Sequence, residues 1–469
     1  MLRARIEDYC ARAGLALAPT TDIEILGADP VLRSPLHLGE GAATVLGLLG
    51  QEAACIGQLR GLPPQRLRVD VRHAAASLHS FLLLQIQGGI VPLLGHRAGA
   101  HLTSIFRCRD GRYIHLHGSF DEPAAILRVL GLGGEPDNDA VAEAVARREA
   151  GELEDVLALA GLCGAICRSP AEWGRHPQGR ALADRPLIEV TRIGEGPPVP
   201  FAAAERPLSG IRVLDLTRVL AGPTAARTLA EHGADVLHVA APHLPTIPLF
   251  EIDTGHGKRQ AHLDLRRPED AARLRQLVVG ADVFSQGFQH RSLDRRGFGP
   301  DELAALRPGI VYVSENAYGQ VGPWNDRPGW EQLAQAATGV TVVQGGGRPM
   351  LAPAAMNDYT TGYLAALGAM IALRRRASEG GSWHVQTSLA RTAMWFLALG
   401  ADLNPAAATD LGNVATLMDE TESGYGRLGF LKPALQMSVT PPRWRLPARP
   451  LGSDSPTWID APGGPSATP

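Results

Sequence analysis

Residues 207–239 read PLSGIRVLDLTRVLAGPTAARTLAEHGADVLHV, and this stretch decides the fold class. IRVLDLT (211–217) is a continuous apolar run of strand length, and RVLAGP turns the chain. TAARTLAEHGA (224–234) has the three-to-four-residue apolar spacing of a helix, and DVLHVAAP (235–242) is a second buried strand. The cycle then repeats. AHLDL (261–265), DVFSQ (282–286) and IVYVSENA (310–317) read as strands, separated by the helical stretches RPEDAARLRQLVVG (267–280) and DELAALRPG (301–309). Apolar strands alternating with helices pair in parallel through right-handed crossovers. The expected fold is therefore α/β: a Rossmann-like, doubly wound parallel sheet in a large domain, plus a smaller α/β domain. The ligand crevice of such a sheet lies at the carboxyl ends of its strands.

Working outward, residues 1–35 form an N-terminal extension with weak helical periodicity. From 36 the chain is Ala/Leu-rich and helical around the short extended piece LRVDV (67–71), and IFRCRDGRYIHLHG (105–118) reads as a hairpin turning at Asp110-Gly111. Residues 137–160 are amphipathic and suggest two helices. GEGPPVPF (194–201) and ERP (205–207) mark a linker, placed at 196–206. It divides a half of 36–195 from one of 207–400, and 401–469 is a return segment whose last ten or so residues are expected to be mobile. A faint echo joins the halves. GAATVLGLLGQEA (41–53) followed by RVDVRHAAASLHSFLLL, and YLAALGAMIAL (363–373) followed by HVQTSLARTAMWFLAL, each read as helix, short extended piece, helix.

Composition narrows the function. Of 469 residues, 45 are Lys or Arg and 48 Asp or Glu, a net charge of −3, which argues against nucleic acid as the main partner. The charged start MLRARIEDYCARAG has no apolar signal region, and no uncharged run reaches the ~18 residues of a spanning helix. A cytoplasmic protein without membrane contact is expected. Five scattered cysteines suggest neither a disulfide framework nor structural zinc. His115 and His117 share one strand face without evident further ligands, so no metal is expected. TRVLAGP lacks the G-x-G-x-x-G spacing of a dinucleotide site, and neither a P-loop nor a G-x-S-x-G elbow is present. Asp358 stands out: it follows the apolar loop MLAPAAM and opens a helix whose next charged residue is Arg374. It suits an N-cap or a rigidly held nucleophile, and the two roles are compatible.

The 207–239 stretch also resembles the class III CoA-transferases, the carnitine dehydratase-like family. The likeness continues through GKRQAHLDL (257–265), ADVFSQGFQHRSLDRRGFGPDELAALRPGIVYV (281–313) and GQVGPWNDRPGWEQLAQAATG (319–339), and ends with NDYTTGYLAALGAMIALRRR (357–376). The resemblance implies that Asp358 attacks an acyl-CoA thioester to give a mixed anhydride. CoA thiolate then returns to form an aspartyl-CoA thioester, from which an acceptor carboxylic acid takes CoA, with no metal or redox cofactor. It further implies CoA contacts from Val219 and Ala221, in the loop holding the nucleotide end, and from Phe288. Lys258 lies in the family's GKR block, and Arg295 and Arg296 suit the CoA phosphates. An interlocked homodimer is expected as in that family.

Departures qualify the resemblance. The family's N-F-R-P-G is here Gly287-Phe288-Gln289-His290-Arg291, and its V-I-K-V-E-x-P is Val236-Leu237-His238-Val239-Ala240-Ala241-Pro242. Pro328-Gly329-Trp330-Glu331 lacks the racemase branch's histidine, which disfavours an acyl-CoA racemase or isomerase. The other alternative is a CoA-binding paralogue without activity. The look-alike of the family's small domain, 95–195, precedes the nucleophile-bearing half instead of following it. Residues 36–195 thus resemble the second half of one copy and 207–400 the first half of another, with 433–452 resembling the family's closing segment. In the first copy Glu40 falls near the nucleophile's place.

Overall fold

The structure, a computed structural model, describes residues 2–12, 14–15, 22–90, 102–118 and 123–459. The segments 95–101 and 119–122, and the tail from 460, fall outside the described residues.

Seven strands form the principal sheet: β1 (Glu189–Gly194), β2 (Arg212–Asp215), β3 (Asp235–Ala240), β4 (Lys258–His262), β5 (Val283–Gln286), β6 (Val311–Asn316) and β7 (Ser382–Ser388). Their order is β4-β3-β2-β5-β6-β7-β1. Every neighbouring pair is parallel except β7 with β1. The chain is thus mixed α/β with a parallel sheet, and the direction of winding reverses between β2 and β5. β4 begins three residues before the apolar AHLDL run. Charged residues enter this strand because each has an acidic partner: Lys258 Nζ donates to the buried Asp215 Oδ2 at 2.9 Å, and Arg259 pairs with the half-buried Asp235. β1 belongs by sequence to the half before the linker, so membership of the sheet cuts across the expected boundary.

Five helices position the site: α1 (Leu38–Leu59), α2 (Ala221–Glu231), α3 (Glu331–Thr338), α4 (Met356–Glu379) and α5 (Leu389–Leu399). α2 starts before the TAARTLAEHGA periodicity. Its first turn contains Pro223, tolerated there because the N–H it lacks would be unpaired in any case. α4 is buried along most of its length and packs on both α1 and α2. Gly362 permits the second contact: a Cβ there would lie 2.4 Å from the Ala221 carbonyl oxygen. The echo in the sequence is a repeated supersecondary unit. α1 runs into the strand Leu67–Asp70 and the helix Val71–Ser77, as α4 runs into β7 and α5.

The hairpin expected at Asp110-Gly111 forms, with Ser104–Arg107 paired antiparallel to Tyr113–Leu116 and Gly164–Ile166 completing a three-stranded layer. Gly111, at φ +81, makes the turn. Three short helices (Pro123–Leu130, Asn138–Ala146, Ala150–Leu159) cover this layer with their own apolar core. It docks on α3: His115, fully buried, bridges Ser104 O and Gln332 Oε1 at 2.9 Å each, and the Arg168 N–H donates to Ala336 O. The return segment pairs Leu435–Met437 with Leu67–Asp70 and then follows the β4 edge, where Asp454 N–H donates to Gln260 O. All five cysteines are free thiols. Among the described residues no helix is long and apolar enough to cross a membrane.

Candidate active site

A cavity of about 310 Å³ lies at the carboxyl ends of β2, β5 and β6, where the strand order reverses. The loop after β2 contributes Arg218 to Ala221, and the loop after β5 contributes Gly287, Phe288 and Gln289. Glu315 stands at the end of β6, Trp330 precedes α3, and Asp358 projects from α4. Gly161 and Arg327 bring in the three-stranded layer. The Arg327 guanidinium donates to Glu154 O and Gly164 O at 3.1 and 3.2 Å, and His117 of that layer stacks on Trp330 at 5.9 Å.

Asp358 is the third residue of α4 and lies inside its first turn, not at the cap position, which Ala355 occupies; its side chain caps nothing. It is 7% exposed, with no hydrogen bond or ion pair to any described residue. Burial raises its pKa well above the ordinary carboxyl value, and the nearby carboxyls of Glu331 and Glu315 raise it further. The N-terminal end of α4 works the other way, favouring negative charge in its first turn. A carboxyl so held keeps one oxygen free and poorly solvated, the state in which a carboxylate is most nucleophilic once ionised.

The two neighbouring acids differ in their partners. Glu331 accepts from Gln335 Nε2 at 2.7 and 2.9 Å and from the Asn357 N–H at 3.3 Å, and burial pushes its pKa up to about 7. Glu315 lies by the Gly222 N–H at the start of α2, which lowers its pKa. Burial, with Asp215 adding, nevertheless pushes it up to about 7.

The loop after β2 is held from beneath. His238 Nδ1 lies 2.6 Å from Gln260 Oε1 and its Nε2 3.0 Å from Thr217 O. Thr217 N–H and Oγ1 both bond to Asp215 Oδ1, at 3.0 and 2.5 Å. Val219 is fixed at φ +72, a left-handed conformation that costs a β-branched residue on the order of 1–3 kcal/mol and is typical of functional loops.

Of the residues singled out from sequence, Asp358, Val219, Ala221 and Phe288 meet in this cavity. Lys258 does not line it. Its ammonium is 1% exposed and spent on Asp215 and on Pro223 O (2.8 Å), so it ties β2, β4 and α2 together instead of facing a ligand. Arg295 and Arg296 are exposed on a short turn just beyond Ser292, which lines the cavity, and among the described residues their side chains bond to the carbonyls of Arg291 and Leu265. Sequence reasoning missed Glu315 and Glu331. The available signal was a charged residue ending an apolar strand, IVYVSEN, and another opening the LAQAATG helix.

Glu40 is fully buried. Its ligand atoms, with those of Asp29 and His37, lie within 4.8 Å of one another, a spacing that could hold a cation. Those atoms already bond to each other and to Tyr9 and Asp402, so no metal is needed to satisfy them.

Residues 208–411 match the model of CoA-transferase family III. An acyl-CoA transferase of Gibberella moniliformis is 35% identical over 406 residues, 77% of this chain and 70% of that protein. The acetyl-coenzyme A transferase nodX of Hypoxylon pulicicidum is 32% identical over 72% of this chain and 65% of its own length. A solved CAIB/BAIF family protein from Brucella suis is 27% identical over 48% of this chain and 65% of its own, with a TM-score of 0.40. The chain belongs to CoA-transferase family III, and it is an enzyme of the class III CoA-transferase type.

Proposed function

We propose that this protein moves CoA from an acyl-CoA to a carboxylic acid through a covalent intermediate on Asp358. The observation that carries the reading is one buried carboxyl, free of partners, opening on a cavity lined by Val219, Ala221 and Phe288. In the first step an Asp358 oxygen attacks the thioester carbon and the C–S pair leaves with sulfur, giving an aspartyl anhydride and CoA thiolate. The thiolate attacks the aspartyl carbonyl and releases the donor acid, leaving an aspartyl-CoA thioester. The acceptor carboxylate attacks that thioester and expels CoA thiolate, giving a new anhydride; the thiolate then attacks the acceptor's acyl carbon, releasing the Asp358 carboxylate and the product thioester. Splitting one transfer into these steps is ordinary nucleophilic catalysis, and it calls on neither a metal nor a redox cofactor.

The nucleotide end of CoA would lie across the loop after β2. A small slot of about 50 Å³ adjoins the cavity there and shares Arg218 and Phe288 with it. Arg218, Arg295 and Arg296 are the guanidinium groups on this side that suit the phosphates. The large sheet with its helices (207–400) is read as a Rossmann-like, doubly wound CoA-binding domain, and the 36–195 half as the smaller α/β domain closing one wall. A cytoplasmic homodimer completes the proposal.

The test is chemical. Incubation with an acyl-CoA, trapping with hydroxylamine and mass spectrometry should mark the Asp358 peptide, and Asp358→Asn should abolish the mark while CoA still binds. A wild-type protein that binds acyl-CoA yet yields no marked peptide would refute the mechanism. Exchange of the acyl α-proton with solvent deuterium would point to isomerase chemistry instead.

A further inference from the structure

Glu315 is the least expected group in the cavity. It is the last residue but one of β6, so the strand's pairing with β7 (Glu315 opposite Thr387) fixes its backbone, and its carboxyl lies by the N-terminal end of α2, where the Gly222 N–H acts on it. The wall opposite is shaped around it. A Cβ on Gly287 would lie 2.2 Å from Glu315 Oε1 and 3.1 Å from its carboxyl carbon, so the glycine leaves the space this carboxyl fills. Both residues line the cavity into which Asp358 projects.

We propose that Glu315 is a second carboxyl of the reaction centre, which as a neutral acid donates a hydrogen bond to the carbonyl oxygen of the acyl group that Asp358 attacks. The inference rests on the covalent transfer proposed above. When an Asp358 oxygen adds to the thioester carbon, the carbonyl π pair moves to oxygen. The Glu315 O–H stabilises that oxyanion, the pair returns as the C–S bond breaks, and the proton stays on Glu315 throughout. Atoms and charge balance without another reactant. A donor placed where charge develops is worth far more in a water-poor site than in solvent.

The surroundings fit a protonated Glu315. Asp215 from β2 and Asp358 from α4 are acidic, and Glu331 from α3 adds a third carboxyl beside Asp358. The cations are placed otherwise: Lys258 is paired to Asp215, while Arg218 and Arg327 line the cavity without bonding to Glu315. Three carboxyls in one buried site do not all ionise near neutrality. Glu331, with two amide-bearing partners, is the best-stabilised anion, so Asp358 and Glu315 share one proton, and the form that reacts is the one in which Glu315 holds it and Asp358 is ionised.

The experiment follows the rate of Asp358 adduct formation from an acyl-CoA at pH 5.5 to 9.5 in wild type, Glu315→Gln and Glu315→Ala. Wild type should lose rate at the alkaline end, where the Asp358–Glu315 pair gives up its shared proton and no neutral donor remains. Glutamine is a permanent donor of nearly the same shape, so Glu315→Gln should stay within about tenfold of wild type and lose the alkaline fall. Glu315→Ala should drop about 100-fold, the usual effect of removing one oxyanion donor. Gly287→Ala should cost a similar factor alone and almost nothing when added to Glu315→Ala, because the two act through one clash. An alkaline fall that persists in Glu315→Gln, or equal losses for glutamine and alanine, would overturn the inference and leave the covalent mechanism standing. Absence of any adduct in wild type would instead remove the mechanism itself. Should Glu315→Ala fail to fold, the glutamine variant alone still decides.

Discussion

α1 and α4 each place a carboxyl at their third residue, Glu40 and Asp358, and each helix runs into a short strand and then a second helix. Glu40 is fully buried. Its Oε1 accepts the Asp29 N–H at 3.3 Å, its Oε2 accepts the Tyr9 hydroxyl at 3.2 Å and lies 3.2 Å from His37 Nδ1, and its own N–H donates to Asp29 at 2.8 Å. Asp358, at the equivalent position, meets no donor among the described residues and opens on a cavity. A repeated unit therefore supplies the same carboxyl position twice, but the surroundings make one a structural tie and the other a reactive group. An unpartnered buried carboxyl is costly to keep ionised, and such a cost persists where a reaction uses it.

The largest break in that comparison is chemical. Asp358→Asn should lower the transfer rate by on the order of a thousandfold or more, since the amide cannot form the anhydride and Glu315, the other carboxyl lining the cavity, serves as the hydrogen-bond donor. The same change removes one of three crowded carboxyls, so the melting temperature should hold or rise. Steady-state assays with two acyl-CoA concentrations and a thermal melt measure both. Residual transfer above a hundredth of wild type would mean another nucleophile. Next comes the buried acid that is fully paired, Asp215. Lys258→Met leaves it without its cation and should cost about 3–5 kcal/mol in urea unfolding. A Lys258 that contacted CoA would instead raise KM and leave stability alone.

Glu40→Gln probes the tie itself. Glutamine keeps the shape but turns acceptors into a donor beside the Tyr9 hydroxyl and the Asp29 N–H. The expected loss is about 1–3 kcal/mol of stability, the penalty for buried groups left without partners. Transfer activity measured below the unfolding transition should stay at the wild-type level. A loss of activity with intact stability would make Glu40 a working group and dissolve the contrast with Asp358.

How much of this was legible in the sequence follows from where the deciding interactions lie. Strands β2, β3, β5 and β6 are buried on both faces, so each is a run of apolar residues that announces itself, and the crevice at their carboxyl ends follows from parallel pairing. Asp358 was legible as a lone acid in an apolar setting, and Val219, Ala221 and Phe288 only through the resemblance to the class III family, whose CoA contacts they match by position. β4 was misplaced because its charges are neutralised by Asp215 and Asp235, partners distant in sequence. Lys258 was named for its place in the family's GKR block, and its partner Asp215, distant in sequence, is seen only in the fold. Glu315 and Glu331 were missed because their meaning is their nearness to Asp358, which only the packing of α3, α4 and β6 creates. β1 joined the large sheet through an antiparallel edge pairing that no local pattern encodes.

The smallest expected effect sharpens the contrast through pH. His37 sits between Glu40 and Asp402, and its pKa is raised, chiefly by the hydrogen bond to Glu40, with burial opposing and Asp402 adding. A histidine whose folded pKa exceeds its unfolded value of 6.5 stabilises the fold fully below that value, and the contribution is lost as pH rises through the folded pKa. Asp29 acts in the same direction at lower pH. Burial pushes it up to about 6 from 3.8, so the folded protein holds that proton longer and loses stability as pH climbs between the two values. Asp402 is exposed and its share is screened by salt, whereas the Glu40 contact is buried and is not. Urea midpoints of wild type and His37→Asn should therefore differ more at pH 6 than at pH 9, and the difference at pH 6 should survive 0.5 M salt in part. Parallel curves across that range would mean that the Glu40 cluster does not titrate through His37, and that the tie owes its strength to the neutral Tyr9 and Asp29 bonds alone.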